Sequence, residues 1–282
     1  MISMKNLIVG SAGWRAPYGA DHNILEIEKI KELIRFIEKN KFRSIDTAPG
    51  YADSELLILK FIKELKISTK INLFSDSSGF KNELKKINSK KINTLYFHDP
   101  DLIRKFKISE ISSFISEIID RDYSPGFSFY DLESLKIADT RLGFKAFYQV
   151  PLNIFDLKFL KFVSNSEISR KKIIFRSLFS RGLVFLNQEQ VKLVFGKDYE
   201  KTKKDFELFY KIPFENKSME ILTYSLIKYI TKKGHDLIVG LNSISETNYF
   251  IRNVADASEN DFDWSFLVRD SKTINKIEDL KL

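Results

Sequence analysis

Short apolar runs and longer stretches in which apolar residues recur every three or four positions take turns along the whole chain. That is the pattern of repeated strand–helix units winding a parallel sheet. Eight runs predict strands: Leu7–Gly10, Phe42–Asp46, a third within Ile67–Phe74, Thr94–His98, Gly126–Phe129, Phe147–Pro151, Lys172–Arg176 and Leu237–Gly240. Several are apolar without alternation, as strands buried on both faces are. Within Ile24–Asn40, the residues Ile27, Ile30, Leu33, Ile34 and Ile37 fall at helical spacing among Glu and Lys, which predicts an amphipathic helix on the outside of a barrel. Similar stripes run through Leu56–Leu65, Ile108–Ile119 and Asn216–Lys232, the last with Asn216 as N-cap and Gly234 as stop signal. The stretch Asn187–Pro213 exceeds what a crossover needs and predicts an inserted helix or a loop over the barrel mouth. No linker or repeat divides the series, so the fold expected over residues 1–282 is α/β, a single (β/α)8 TIM barrel domain.

Composition agrees with one large core: the 282 residues are 43% hydrophobic and include 25 Phe. The absence of cysteine excludes disulfides and thiolate metal sites and fits a reducing, cytoplasmic setting. With only three histidines as well, no metal is expected. No segment approaches the roughly 20 apolar residues that span a bilayer, so no membrane role is expected. The net charge of +8 favours an anionic ligand. Its lysines are scattered among glutamates on helix faces, a pattern for a solvated surface and not for nucleic-acid binding. A phosphorylated cofactor would use the same charge. Nothing in the pattern specifies an oligomeric state.

Barrel active sites form at the C-terminal ends of the strands, so the polar residues closing each apolar run carry the candidate chemistry. They are Asp46, then Lys70 or Asp76, then His98, Ser128, Gln149, Arg176 and the turn Gly240-Leu241-Asn242-Ser243. With Tyr51 nearby, they compose a candidate acid–base site. The third strand has two registers. One ends it at Ile67-Ser68-Thr69-Lys70-Ile71, close behind the preceding helix; the other makes Ile71-Asn72-Leu73-Phe74-Ser75 the strand and puts Asp76 at the mouth. Taken singly, Asp46 can cap a loop, Tyr51 can be a packed aromatic and His98 a core histidine, while His22 and His235 read as surface or loop residues. Trp14 and Tyr18, in the first mouth loop, read as stacking walls for a substrate.

The run Ile45-Asp46-Thr47-Ala48-Pro49-Gly50-Tyr51-Ala52-Asp53-Ser54-Glu55 resembles the signature of the aldo-keto reductase family, in which Asp-Thr-Ala leads to a catalytic Tyr and then Ser-Glu. Leu95-Tyr96-Phe97-His98-Asp99-Pro100 is similar to that family's histidine strand, and Tyr148-Gln149-Val150-Pro151-Leu152-Asn153 to its glutamine strand. Gly10-Ser11-Ala12, Phe175-Arg176-Ser177 with Gly182-Leu183, and Val239-Gly240-Leu241-Asn242-Ser243 fit a bacterial branch. The resemblance covers nearly the whole chain. It implies an NADP-dependent oxidoreductase, with NAD as the alternative, that reduces a carbonyl of a small, sugar-like substrate. Tyr51 is then the proton donor, Lys70 the cation beside it, Asp46 the partner of Lys70, and His98 the group orienting the carbonyl oxygen. Ser128 and Gln149 would hold the nicotinamide amide. Arg176, where many members carry an aromatic, and Ser177 would also meet the cofactor, with Gly240, Asn242, Ser243 and Glu246 at its adenosine-phosphate end. Phe129 stands where many members have Asn, and Ala52 where Gly is frequent. An Asp76 register would imply instead a non-redox enzyme, a lyase or epimerase, or a ligand-binding protein on the same barrel.

Overall fold

Strands that are apolar on both sides need cover on both faces, and the chain supplies it by closing the sheet on itself and wrapping it in helices. The computed structural model describes residues 4–20, 23–99, 101–142, 146–166, 168, 173–258, 262 and 264. Eight parallel strands, β1 (Leu7–Gly10), β2 (Ser44–Asp46), β3 (Lys66–Ile71), β4 (Ile92–Phe97), β5 (Ser124–Ser128), β6 (Phe147–Pro151), β7 (Ile173–Arg176) and β8 (Asp236–Gly240), pair in chain order. The ring closes where Leu7 to Gly10 pair with Leu237 to Gly240. The fold is therefore the (β/α)8 barrel expected from the pattern.

The helices are α1 (Ile27–Lys39), α2 (Ser54–Phe61), α3 (Ser77–Lys86), α4 (Leu102–Lys105), α5 (Ile108–Ile119), α6 (Leu132–Leu142), α7 (Lys158–Ser164), α8 (Gln188–Phe195), α9 (Tyr199–Tyr210), α10 (Asn216–Lys232) and α11 (Ile244–Asp256). The stripe of α1 turns Ile30, Leu33, Ile34 and Ile37 inward. The stretch Asn187–Pro213 holds α8 and α9, whose Phe195 and Phe206 pack with Phe155 and Phe214. Inside the barrel, Tyr96 fills the space opposite Gly126, where a Cβ would lie 2.4 Å from its ring. This plug, with Ile8, Ile174 and Ile238, floors the mouth above it.

Several expectations are corrected. β2 begins at Ser44, not Phe42; Lys41 turns with φ of 56°, and Phe42 buries its ring before the strand starts. Glu215, not Asn216, is the N-cap of α10, and Asn216 instead donates its side-chain amide to the Leu186 carbonyl. His235 is buried, edge-on to Phe175, because it enters the barrel immediately before β8. His22 and Lys172 lie outside the described residues. Among the described residues, no helix is long and apolar enough to cross a membrane.

Candidate active site

Strand pairing decides which side chains meet at the mouth. Asp46 pairs in register with Ser68, and side chains two apart on a strand share a face, so Ser68 and Lys70 both point toward Asp46. Lys70 Nζ donates to Asp46 Oδ2 at 2.7 Å and to the Thr47 carbonyl at 2.8 Å. Asp46 Oδ1 accepts from Ser68 Oγ at 3.1 Å and from Gln149 Nε2 at 2.7 Å. Both ends of the ion pair are buried, with side chains 4% and 6% exposed. Buried charges persist only when paired and hydrogen-bonded, and here both carboxylate oxygens and the ammonium are engaged.

The structure therefore takes the first register of strand three. α2 ends at Phe61, so Ile62 to Leu65 supply the loop that this register needs. Asp76 sits at the start of α3, where its carboxylate accepts from the Gly79 N–H at 2.7 Å. It is an N-cap, absent from the mouth.

Tyr51 lies beside this pair, its ring centroid 5.3 Å from Lys70 Nζ. Burial raises its phenol pKa above the ordinary value, and the neighbouring ammonium opposes part of that rise. Burial alone would lower the Lys70 pKa, but Asp46 and Tyr51 outweigh it, so the ammonium is held above its ordinary value. His98 follows β4 directly and is half-buried; burial and then the cations Lys70 and Arg176 push its pKa below 6.5, so its ring is neutral at pH 7.

These four residues line one cavity of about 700 Å³ together with Tyr18, Ser128, Gln149, Arg176, Ser177, Gly240, Asn242 and Glu246. Trp14 does not line it. Its indole is fully buried and donates to the Leu241 carbonyl at 2.9 Å, because a large apolar ring with one N–H is best placed where a strand end leaves one acceptor. It anchors the first loop and is no substrate wall. Ser243 caps α11, accepting from the Glu246 N–H at 3.0 Å, while Glu246 Oε2 accepts from the Asn242 N–H at 2.8 Å.

Sequence reasoning missed Tyr130, although the period of two contained the signal: Ser128 faces the barrel, Phe129 faces the helices, and the next residue returns to the mouth. Phe129 stacks on Phe127 in the outer core, and Tyr130 lies under the Arg176 guanidinium, 4.3 Å from its centre. The loop after β7 was also missed as a wall; Phe179, Arg181 and Phe185 line the cavity. It meets the first loop where the Ala20 N–H donates to the Arg181 carbonyl at 2.9 Å. Gly19 makes that approach with φ of 64°, and a Cβ there would sit 2.2 Å from the same oxygen.

Two buried polar atoms of the cavity wall have no hydrogen-bond partner, Gln149 Oε1 and Arg176 Nε. Since Gln149 Nε2 is committed to Asp46, its oxygen is a fixed acceptor. Among the described residues, no group of three His, Asp or Glu side chains is placed to hold a metal ion.

No family model and no curated protein matches this chain. Solved structures do. An aldo-keto reductase structure from Pseudomonas aeruginosa superposes with a TM-score of 0.60 at 15% identity, covering 92% of this chain and 90% of that one. The glycerol dehydrogenase from Gluconobacter oxydans gives 0.57 at 16% identity, covering 90% and 86%. A third structure, solved in complex with NADPH, gives 0.58 at 12% identity, covering 98% and 94%. At such identities, what is shared is the fold.

Proposed function

We propose that this chain is a nicotinamide-dependent oxidoreductase of the aldo-keto reductase type, reducing the carbonyl of a small substrate, with NADPH as the preferred cofactor. The observation that carries the reading is the buried Asp46–Lys70 pair set against Tyr51 at the mouth. Catalysing proton transfer to a developing alkoxide needs an acid whose conjugate base is stabilised in place, and a phenol beside a fixed ammonium is such an acid. When bound, a reduced nicotinamide supplies the hydride to the carbonyl carbon. Tyr51 donates its proton to the carbonyl oxygen, Lys70 stabilises the phenolate left behind, and Asp46 holds Lys70 in position. Neutral His98 donates a hydrogen bond to the same oxygen.

The wall also suits the cofactor. The unpartnered Gln149 Oε1 is an acceptor for a carboxamide N–H, with the Ser128 hydroxyl on the neighbouring strand. Ser177 lines the same cavity. Gly240 has open space where a Cβ would be, and Asn242, Ser243 and Glu246 shape the strand-to-helix turn beside it. Close approach of backbone at a helix N-terminus suits a phosphate, and the excess of basic residues favours NADP over NAD. Substrate then contacts Tyr18 and Tyr130, aromatic rings that accept a sugar-like face.

The test is consumption of NADPH dependent on small aldehydes and ketones. Turnover of a ligand without nicotinamide would favour the lyase or epimerase reading instead. The pH profile carries the sign of the Tyr51 shift. Reduction needs protonated Tyr51, and burial places its pKa above 10.0, so the rate should hold across neutral pH with no basic limb below that value. The reverse oxidation needs the phenolate and should rise with pH over the same range. An acid limb in reduction, where His98 gains a proton, should lie below pH 6.5.

A further inference from the structure

Three cations line the cavity, the buried Lys70, the partly buried Arg176 and the exposed Arg181, and among the described residues only Lys70 has an anion. Lys70 is matched by Asp46. Arg176, at the end of β7, makes no salt bridge with any described carboxylate. Its Nη1 donates to Ser177 Oγ at 3.1 Å and its Nη2 to the Phe129 carbonyl at 3.2 Å, both neutral acceptors. Its Nε is buried without a partner. Tyr130 stacks on one face of the guanidinium, which fixes its plane and keeps water from that side. A guanidinium partly withdrawn from water, with Nε buried and only neutral partners, is unfavourable, and a planar oxyanion is the group its paired N–H donors match.

The guanidinium also lies within electrostatic range of both Lys70 and His98, on the same cavity wall as the proton donor. The other charged residues of the wall do not answer it: Asp46 is held by Lys70, Ser68 and Gln149, and Glu246 accepts from the Asn242 N–H. Among the described residues, the mouth thus holds a guanidinium without an anion, set over the Tyr130 ring.

We propose that the substrate is an oxo acid, an aldehyde or ketone bearing a carboxylate, and that Arg176 is the residue that binds the carboxylate while Tyr51 faces the carbonyl. This rests on the reductase reading. In the reaction the carbonyl carbon gains a hydride from the reduced nicotinamide, which is oxidised; the oxygen gains the Tyr51 proton; and the phenolate recovers a proton from water. The product is a hydroxy acid, its carboxylate unchanged on Arg176. A neutral substrate of the same shape would leave Arg176 unmatched and bind more weakly.

The test uses matched pairs: succinic semialdehyde and its methyl ester, and 4-carboxybenzaldehyde and methyl 4-formylbenzoate. In the wild type, kcat/KM for at least one acid should exceed that of its ester by about ten- to a hundredfold, a ratio set by one charge-assisted contact. Arg176→Gln should collapse that ratio toward one through KM, and Arg176→Lys should restore part of it. The affinity for NADPH, measured separately by calorimetry, should change far less than the ratio. Equal use of acid and ester by the wild type would overturn the proposal. So would an Arg176→Gln protein that keeps the ratio but loses NADPH affinity, since the anion would then be a cofactor phosphate. Binding of 4-carboxybenzyl alcohol and its methyl ester, measured calorimetrically, separates this from failure of the reductase reading. Acid-selective binding lost in Arg176→Gln, without any turnover, would uphold the anion site and sink the reduction; no selectivity would sink the anion site whether or not reduction occurs.

Discussion

Tyr51→Phe should lower carbonyl reduction by about a hundredfold to ten-thousandfold while leaving the fold and NADPH affinity nearly intact. The change removes one hydroxyl from a half-buried ring and leaves the ring against Lys70, so packing is preserved and only the transferable proton is lost. The loss should fall on kcat, because the proton is needed in the transition state and contributes little to binding. Thermal unfolding and an NADPH titration of the same preparation serve as controls. Equal turnover in the two proteins would remove Tyr51 as the acid.

Lys70→Met should be worse on both counts. It abolishes the charge that stabilises the phenolate, and it leaves the Asp46 carboxylate buried with only Ser68 and Gln149 as donors. Breaking one side of a buried ion pair costs about 3–5 kcal/mol, so the variant should lose several degrees or more of thermal stability together with its activity. Asp76→Asn is the contrast. Its carboxylate caps α3 through the Gly79 N–H, and Asn is an equally good cap, so stability should change by no more than about 0.5 kcal/mol and activity hardly at all. An inactive Asp76→Asn beside a normal Lys70→Met would contradict the site as built.

The barrel was legible because several of its strands, Leu7–Gly10 and Ile173–Arg176 among them, begin as unbroken apolar runs and several helices carry clean stripes: the limits read for Ile108–Ile119 and Asn216–Lys232 coincide with α5 and α10. The polar residues that close those runs marked the candidate site, and Asp46, Lys70, His98, Ser128, Gln149 and Arg176 line one cavity. What the sequence left open was register and direction. Lys70 and Asp76 each lie near the end of a short run that contains apolar residues, Ile67-Ser68-Thr69 and Ile71-Asn72-Leu73-Phe74-Ser75, and only the pairing of Asp46 with Ser68 decides between them. Trp14 was misread because an aromatic in a mouth loop can face either the ligand or the core; the Leu241 carbonyl, 227 residues away in sequence, takes its N–H. Tyr130 was overlooked because the expected family partner drew notice to Phe129, while the alternation of side chains pointed one residue further. His235 carries no local sign of burial, since its environment comes from Phe175 on the neighbouring strand.

On the proposed function, a reduced nicotinamide cofactor binds in the mouth above Asp46, Lys70 and Tyr51. Calorimetric titration with NADPH, paired with thermal unfolding at the same concentrations, addresses it most directly. Saturable binding at one cofactor per chain is expected, with unfolding stabilised by about 2.7 kcal/mol once NADPH reaches a hundred times its Kd. Substitution of Gln149 by Leu should weaken that binding by removing the acceptor for the amide. The absence of both heat and stabilisation at millimolar NADPH would rule out cofactor binding and leave the barrel without its proposed chemistry.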